Sequence, residues 1–243
     1  MSFFELDGLT KRFGGLVAVD ALSMSVDRGE IVGLIGPNGS GKSTVFNCTM
    51  GRYTVSDGSI HFDGREITDA KTHEVVEHGL ARVSQESNPI DAMSVGANIK
   101  LFTLPNSVTS LRGGASEKEI FRYAARLDLE DKLHEQPDEL PHADVRRLEV
   151  AKALATEPEM LLLDEPFAGM NQQEIDGLVE KFEELREEGM TMIVVDHNMG
   201  GLMRLVDRVV VIHNGSKIAA GDPEEIGENE QVRRAYLGSS EAM

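Results

Sequence analysis

A run of apolar residues leads directly into a glycine-rich loop in the segment Ile31-Val32-Gly33-Leu34-Ile35-Gly36-Pro37-Asn38-Gly39-Ser40-Gly41-Lys42-Ser43. The apolar half predicts a strand that is buried on both faces. The second half matches the pattern G-x-x-x-x-G-K-[ST], in which backbone N–H groups and a helix N-terminus cradle phosphate oxygens. We therefore predict a nucleoside triphosphate site, with Lys42 reaching the β- and γ-phosphates and Ser43 ligating Mg²⁺. The predicted nucleotide-binding residues of this loop are Gly36, Pro37, Asn38, Gly39, Ser40, Gly41, Lys42, Ser43 and Thr44.

Two acidic residues follow a second apolar run, in Met160-Leu161-Leu162-Leu163-Asp164-Glu165. Asp164 is suited to hold Mg²⁺ through water, and Glu165 can act as the general base for a water in line with the γ-phosphate. A third apolar run, Met190 to Val195, leads into Asp196-His197. Because ligands bind at the carboxyl ends of parallel strands, we expect His197 at the same crevice.

The composition indicates a folded, acidic protein. The 243 residues include 42 Asp+Glu against 24 Lys+Arg, for a net charge of −18, and 40% are hydrophobic, which is enough for a sizeable core. A surface this negative repels phosphate backbones, so no nucleic-acid partner is expected. Two explanations of the acidity stay open: a host with a very salty cytoplasm, or an ordinary acidic cytosolic protein.

Membrane insertion and disulfide bonding are not expected from this sequence. A single cysteine, Cys48, cannot form a disulfide framework, and the N-terminus has no basic start of the kind found in secretory signals. The longest apolar runs fall far below the ~18–20 residues that cross a bilayer. We expect a soluble intracellular protein whose membrane role, if it has one, comes through a partner.

Apolar strands that alternate with helical patterns predict an α/β fold with a mostly parallel core sheet. Residues 88–157 are more polar and helical in pattern, so we expect them to form a helical lobe inserted into a core made of 1–87 and 158–243. Asn214-Gly215 is a strong hairpin signal between two short strands near the C-terminus.

The motifs, taken in order, resemble those of the ATPase subunit of an ABC transporter over nearly the whole chain. The resemblance implies a P-loop NTPase of the ABC ATPase fold, with an N-terminal antiparallel β subdomain, and it implies ATP and Mg²⁺ as cofactors. It further implies that Phe13 stacks on adenine, that Gln85 touches Mg²⁺ and that His197 contacts the γ-phosphate. The implied catalytic residues are Glu165, His197, Lys42 and Gln85, and the implied metal-binding residues are Ser43, Gln85 and Asp164.

Three segments are similar to the ATPases of branched-chain amino acid importers: Arg146 to Leu154, Asp164 to Asn171, and Gln231 to Gly238. The resemblance implies an ATP-hydrolysing subunit attached to the inner face of the cell membrane through permease subunits, with a solute-binding protein in the full system. Two alternatives stay open. One is a soluble ABC-type ATPase without a permease, and the other is a nucleotide-binding regulatory module.

The signature segment departs from the family pattern. Where the family has L-S-G-G-Q, this chain has Leu140-Pro141-His142-Ala143-Asp144. In the family these residues act in trans on the γ-phosphate of the opposite subunit, so Pro141, His142, Ala143 and Asp144 are the expected trans contacts. Pro141 has no hydroxyl and Asp144 adds negative charge, which predicts a weakened site; one lost donor costs roughly a hundredfold in rate. We therefore favour a heterodimer with a second ATPase subunit over a homodimer.

Overall fold

The protein is described here from a computed structural model that covers residues 2–104 and 114–238, with side chains through Tyr236. Residues 105–113 of the predicted lobe, Met1 and residues 239–243 lie outside this described part. The strands are β1 Phe4–Phe13, β2 Leu16–Val26, β3 Ile31–Ile35, β4 Asp57–Phe62, β5 Arg65–Glu66, β6 Leu80–Val83, β7 Met160–Asp164, β8 Thr191–Val195, β9 Arg208–His213 and β10 Ser216–Gly221. The helices are α1 Lys42–Thr49, α2 Thr72–Glu77, α3 Val95–Phe102, α4 Glu117–Ala125, α5 His142–Leu154, α6 Gln172–Glu187, α7 Met199–Leu205, α8 Pro223–Glu228 and α9 Glu230–Gly238.

A six-stranded sheet forms the centre of the molecule, in the order β10-β9-β3-β8-β7-β6. All of its pairs are parallel except the hairpin of β9 and β10, which the Asn214-Gly215 signal predicts. Every residue of β3, β7 and β8 is buried, because these apolar runs are covered on both faces. The mostly parallel core sheet is therefore confirmed, and the loops that follow β3, β7 and β8 leave from one edge of it.

A second sheet of four antiparallel strands, β2-β1-β4-β5, forms the predicted N-terminal β subdomain. Its inner face carries the alternating residues Leu22, Met24 and Val26, all buried. These pack in one hydrophobic cluster with Phe46 and Cys48 of α1, so the helix that follows the phosphate loop lies between the two sheets.

Helices α3, α4 and α5 lie within the predicted lobe, residues 88–157. Their apolar side chains, such as Val95 and Leu148, belong to the same buried cluster as Leu161 and Val194 of the central sheet. The helical segment thus shares its core with the sheet, and its separation into a lobe stays a prediction. Within residues 2–104 and 114–238, no helix combines the length and the apolar character needed to cross a bilayer.

Candidate functional site

A cleft of about 500 Å³ opens between the two sheets. One wall comes from the β1–β2 turn, and the other from the loops that follow β3, β7, β8 and β9. The residues that line it are Phe13, Leu16, Val17, Ala18, Asn38, Gly39, Ser40, Gly41, Lys42, Ser43, Thr44, Glu165, Val195, His197, Asn214 and Gly215. The structure therefore brings together the predicted adenine-stacking Phe13, most of the phosphate loop, Glu165 and His197.

Two glycines of the phosphate loop leave no room for a side chain. A Cβ at Gly36 would lie 2.0 Å from the carbonyl oxygen of Ile212, and one at Gly41 would lie 2.5 Å from that of Ala18. Gly41 also has a φ of +110°, a conformation that L side chains rarely adopt. Ser40 is buried, and its hydroxyl has no hydrogen-bond partner among the described residues. An unpartnered polar atom in a glycine cradle fits a site built for a phosphate.

Lys42 begins α1 and turns its amine back toward the loop. Its Nζ donates to the carbonyl oxygens of Gly36 at 2.6 Å and Pro37 at 3.1 Å. Burial lowers the pKa of Lys42, while the carboxylates of Glu165 and Asp164 oppose that shift. The Lys42 ammonium group is thus held at the base of the loop. The oxygens of a bound phosphate would compete with the carbonyl oxygens of Gly36 and Pro37 for its hydrogen bonds.

Glu165 meets two other predicted catalytic residues. Its carboxylate accepts a hydrogen bond from Gln85 Nε2 at 2.6 Å, and its other oxygen lies 3.3 Å from His197 Nε2. Glu165 also has a φ of +51°, which costs a non-glycine residue about 1–3 kcal/mol and recurs at functional sites. Glu165 thus lies at the cleft end of β7, where the predicted general base has to be.

Asp164 lies behind the cleft lining and carries an ion pair that the sequence reasoning missed. Its Oδ2 accepts from Arg82 Nη2 at 2.6 Å, and Arg82 Nη1 donates to Asn47 Oδ1 on α1 at 2.8 Å. The Arg82 and Asp164 side chains are only 10% and 7% exposed. The sequence did offer one signal for this pair, which is Arg82 itself, a charged residue inside the otherwise apolar strand β6. A buried charge requires a partner of opposite charge.

Asp196 joins the two loops that carry Glu165 and His197, the predicted catalytic residues. Its carboxylate accepts from the backbone N–H of Phe167 at 2.9 Å and of Asn198 at 2.6 Å. Burial raises the pKa of Asp196, and the two backbone donors oppose that shift. Because one carboxylate bonds both loops, it fixes the spacing between Glu165 and His197.

Arg146 of α5 holds the segment that contains Gln85. Its guanidinium donates to the carbonyl oxygen of Gln85 and, at 3.4 Å, to that of Ser84. The side chain is buried, and burial lowers its pKa. Gln85 is therefore tied through its side chain to Glu165 and through its backbone to the helix that begins with the signature segment.

The signature segment lies at the start of α5 and does not line the cleft. The N–H groups of Asp144 and Val145 donate to the carbonyl oxygen of Pro141, so the helix begins normally at His142. The imidazole of His142 packs against Gly169, where an added Cβ would lie 3.0 Å from its Cε1.

The negative charge of Asp144, which is expected to weaken the nucleotide site of the opposite subunit, is paired with basic side chains of its own chain. Asp144 is buried and forms ion pairs with Lys132 and, at 3.5 Å, with Arg147. Two cations thus oppose the negative charge that the sequence places at this helix start. Pro141 still lacks the hydroxyl group that the serine of the family pattern would provide.

Comparison with known families decides the assignment. The sequence model of the ABC transporter family matches residues 19–168, more than half of the chain. The chain belongs to the ABC transporter family. Like the ATPases of that family, it binds ATP and hydrolyses it. A second family, described as branched-chain amino acid ATP-binding cassette transporter, matches residues 216–242 of this ABC ATPase.

Similar ABC proteins cover this chain almost completely. The high-affinity branched-chain amino acid transport ATP-binding protein BraF of Pseudomonas aeruginosa is 36% identical over 97% of this chain and 98% of its own length. LivG of Escherichia coli K12 is also 36% identical, with the same coverage, and the probable LivG of Archaeoglobus fulgidus is 32% identical over 100% of this chain and 98% of its own.

Solved structures of ABC cassettes share the fold. The ADP conformation of an ATP-binding cassette of an ABC transporter matches with a TM-score of 0.89 and 26% identity, over 98% of this chain and 99% of that one. A nucleotide-free cassette matches with a TM-score of 0.88 and 26% identity, over 97% and 99% of the two chains. The ABC ATPase fold predicted from the motifs is confirmed.

Proposed function

We propose that this chain is the Mg²⁺-dependent ATPase of an importer for branched-chain amino acids. The observation that carries the catalytic part is the convergence of Gln85 and His197 on the Glu165 carboxylate at the end of β7. The substrate class is supported by the C-terminal family match and by the relatives BraF and LivG, whose names specify branched-chain amino acid transport. The chain would act on the cytoplasmic side of the membrane, through permease subunits that receive amino acids from a solute-binding protein.

The chain's own groups account for binding and proton transfer. Phe13 is 42% exposed at the rim of the cleft, where its ring offers a stacking surface for adenine. Lys42 and the loop N–H groups would hold the β- and γ-phosphates. Glu165 would take the proton of the attacking water, while His197 and Gln85 orient its carboxylate.

The oxygen donors on this chain fit Mg²⁺. Ser43 lines the cleft with its hydroxyl. Asp164 and Gln85 lie outside that lining but next to it, since Asp164 precedes Glu165 in the chain and Gln85 is hydrogen-bonded to Glu165. Hydroxyl, carboxylate and amide oxygens are hard ligands that suit Mg²⁺, which also keeps waters and phosphate oxygens. In the described part of the chain, no group of three or more His, Cys, Asp or Glu side chains could hold a metal without such help. When bound, Mg²⁺ would neutralise charge that develops on the phosphates.

The signature segment supports pairing with a different ATPase. The site on this chain contains the loop, Glu165 and His197, whereas the segment that it would offer to a partner starts with Pro141. We infer a heterodimer in which Pro141, His142, Ala143 and Asp144 face the partner's nucleotide and form the weaker of two sites. The partner's intact signature would complete the site on this chain.

Reconstitution in proteoliposomes tests the assignment. The complete transporter, with permeases, both ATPases and the binding protein, should hydrolyse ATP faster when the binding protein carries leucine, isoleucine or valine. A rate of ATP hydrolysis that does not change with these amino acids, or a chain that never co-purifies with membrane proteins, would reject the importer role in favour of a soluble ATPase.

The ATPase rate of the isolated chain tests the proposed heterodimer. The isolated chain should hydrolyse ATP roughly a hundredfold more slowly than the pair of different subunits. Vigorous turnover by the isolated chain, abolished by Glu165→Gln, would reject the heterodimer.

A further inference from the structure

Two side chains contact the Phe13 ring, the surface offered to adenine, from outside the cleft lining. The Tyr53 ring meets it in a T-shaped arrangement, with the two centroids 5.2 Å apart and the ring planes at 85°. The Lys11 ammonium lies over the Phe13 ring, 4.8 Å from its centroid. Neither Tyr53 nor Lys11 is among the residues that line the cleft, so their contacts with Phe13 leave the cleft free for a ligand.

Further contacts fix Tyr53 and Lys11 relative to each other and to α1. Lys11 Nζ lies 5.8 Å from the centroid of the Tyr53 ring and donates to the carbonyl oxygen of Thr54 at 2.8 Å. The backbone N–H of Tyr53 donates to the carbonyl oxygen of Asn47 in α1 at 3.1 Å. Because α1 begins at Lys42, one short helix connects the phosphate end of the cleft to the residues that hold the ring at its other end.

The position of Phe13 makes these contacts consequential. Phe13 is the last residue of β1 and is partly exposed, so its side chain has rotamer freedom that stacking on a base would remove. T-shaped aromatic pairs and a cation over a ring are both attractive, and they fix the ring before a ligand arrives. Contacts that order a site in advance reduce the entropy cost of binding. An ammonium over one face of the ring also leaves the opposite face for a base.

We propose that Tyr53 and Lys11 are positioning residues that hold the Phe13 ring in the orientation in which adenine stacks on it. This inference rests on the proposed function, because it requires Phe13 to contact the base, and it adds two residues that lie outside the cleft lining. Both act through Phe13 and touch no phosphate. Their removal should therefore weaken the binding of ligands that carry a base and spare ligands that do not.

Calorimetric titration of the full chain with two ligands tests this. One ligand is the non-hydrolysable imido analogue of ATP, and the other is inorganic tripolyphosphate, which has neither base nor sugar; both are added with Mg²⁺. Tyr53→Leu should weaken the binding of the ATP analogue about threefold, as expected for the loss of one aromatic contact, and leave tripolyphosphate binding unchanged. Tyr53→Phe keeps the ring and should bind both ligands as the wild type does.

A matched control and a double variant separate positioning from a general effect on the structure. Phe121 lies on α4, is 50% exposed against 38% for Tyr53, and does not line the cleft, so Phe121→Leu should leave both affinities unchanged. In a Phe13→Leu background, Tyr53→Leu should cause no further loss of affinity for the analogue, since a residue that acts through Phe13 then has nothing to position.

The outcomes distinguish this inference from the ATP site itself. A selective loss in Tyr53→Leu that disappears in the Phe13→Leu background supports the proposal. Unchanged affinity for the analogue in Tyr53→Leu, or an equal loss for tripolyphosphate, overturns it and leaves the ATP site intact. Wild-type binding of the analogue by Phe13→Leu would reject the adenine contact and this proposal together, whereas wild-type binding of both ligands by Lys42→Ala would reject the nucleotide site.

A second variant keeps the test open if Tyr53→Leu does not fold. Lys11→Met removes the cation over the Phe13 ring and should show the same selective loss for the ATP analogue. Unchanged binding of the analogue by Lys11→Met would then overturn the proposal.

Discussion

Removing the Arg82 guanidinium should destabilise the protein more than removing any exposed ion pair. In Arg82→Met, side-chain volume is largely kept, but Asp164 loses its partner in a place where the two side chains are only 10% and 7% exposed. Breaking a buried pair by deleting one partner costs about 3–5 kcal/mol, because the remaining charge is desolvated. The control is Arg204→Met, whose pair with Asp176 is 52% and 45% exposed and should contribute at most about 1 kcal/mol.

Urea unfolding of the nucleotide-free protein at neutral pH measures this difference. Adding Asp164→Asn to Arg82→Met should recover a large part of the loss, since the uncompensated charge is then gone. An Arg82→Met variant that loses no more stability than Arg204→Met would refute the reasoning.

Three further predictions concern the site and the core. Glu165→Gln should slow phosphate release in the assembled transporter at least about 100-fold while ATP affinity is retained, and a variant that keeps a tenth of the wild-type rate would contradict a general-base role. Asp144→Ala should lower the free energy of unfolding in urea by about 2 kcal/mol, because Lys132 and Arg147 lose their shared partner; no measurable loss would show that the pairs contribute nothing. Burial raises the pKa of the Cys48 thiol to about 11, so a thiol reagent at pH 8 should label the folded protein slowly and the denatured protein at once, and rapid labelling without denaturant would disprove this burial.

The fold and the cleft could be predicted because their signals are local. The apolar run Ile31–Ile35 and the glycine loop after it are contiguous, so strand, turn and helix start follow from neighbouring residues. The same holds for Met160–Asp164 and for the hairpin at Asn214-Gly215, which form as their sequences predict. The parallel order of the strands then places Glu165 and His197 at the same edge without further information.

The pair of Arg82 with Asp164 could not be predicted, because it joins distant parts of the chain. The two residues are 82 positions apart, and local sequence gives no reason to choose Arg82 as the partner among 24 basic residues. The contact of Lys132 with Asp144 likewise depends on how the turn before α5 packs, whereas Arg147 lies one helical turn after Asp144, a spacing that local sequence does indicate. The sequence predicts that Asp144 adds a negative charge to the signature segment but leaves open whether that charge is paired, and the structure pairs it with Lys132 and Arg147.

The two walls of the cleft belong to different sheets, so a ligand must be long enough to reach from one to the other if it is to contact both. Phe13 and Val17 come from the four-stranded sheet, whereas Lys42 and Glu165 follow strands of the six-stranded sheet. Adenosine alone would contact one wall and pyrophosphate the other. A nucleoside triphosphate contains both groups, so that binding of one end raises the effective concentration of the other end at its wall and increases the overall affinity. A bound nucleoside triphosphate would therefore link the two sheets of one subunit, and its release would remove that link.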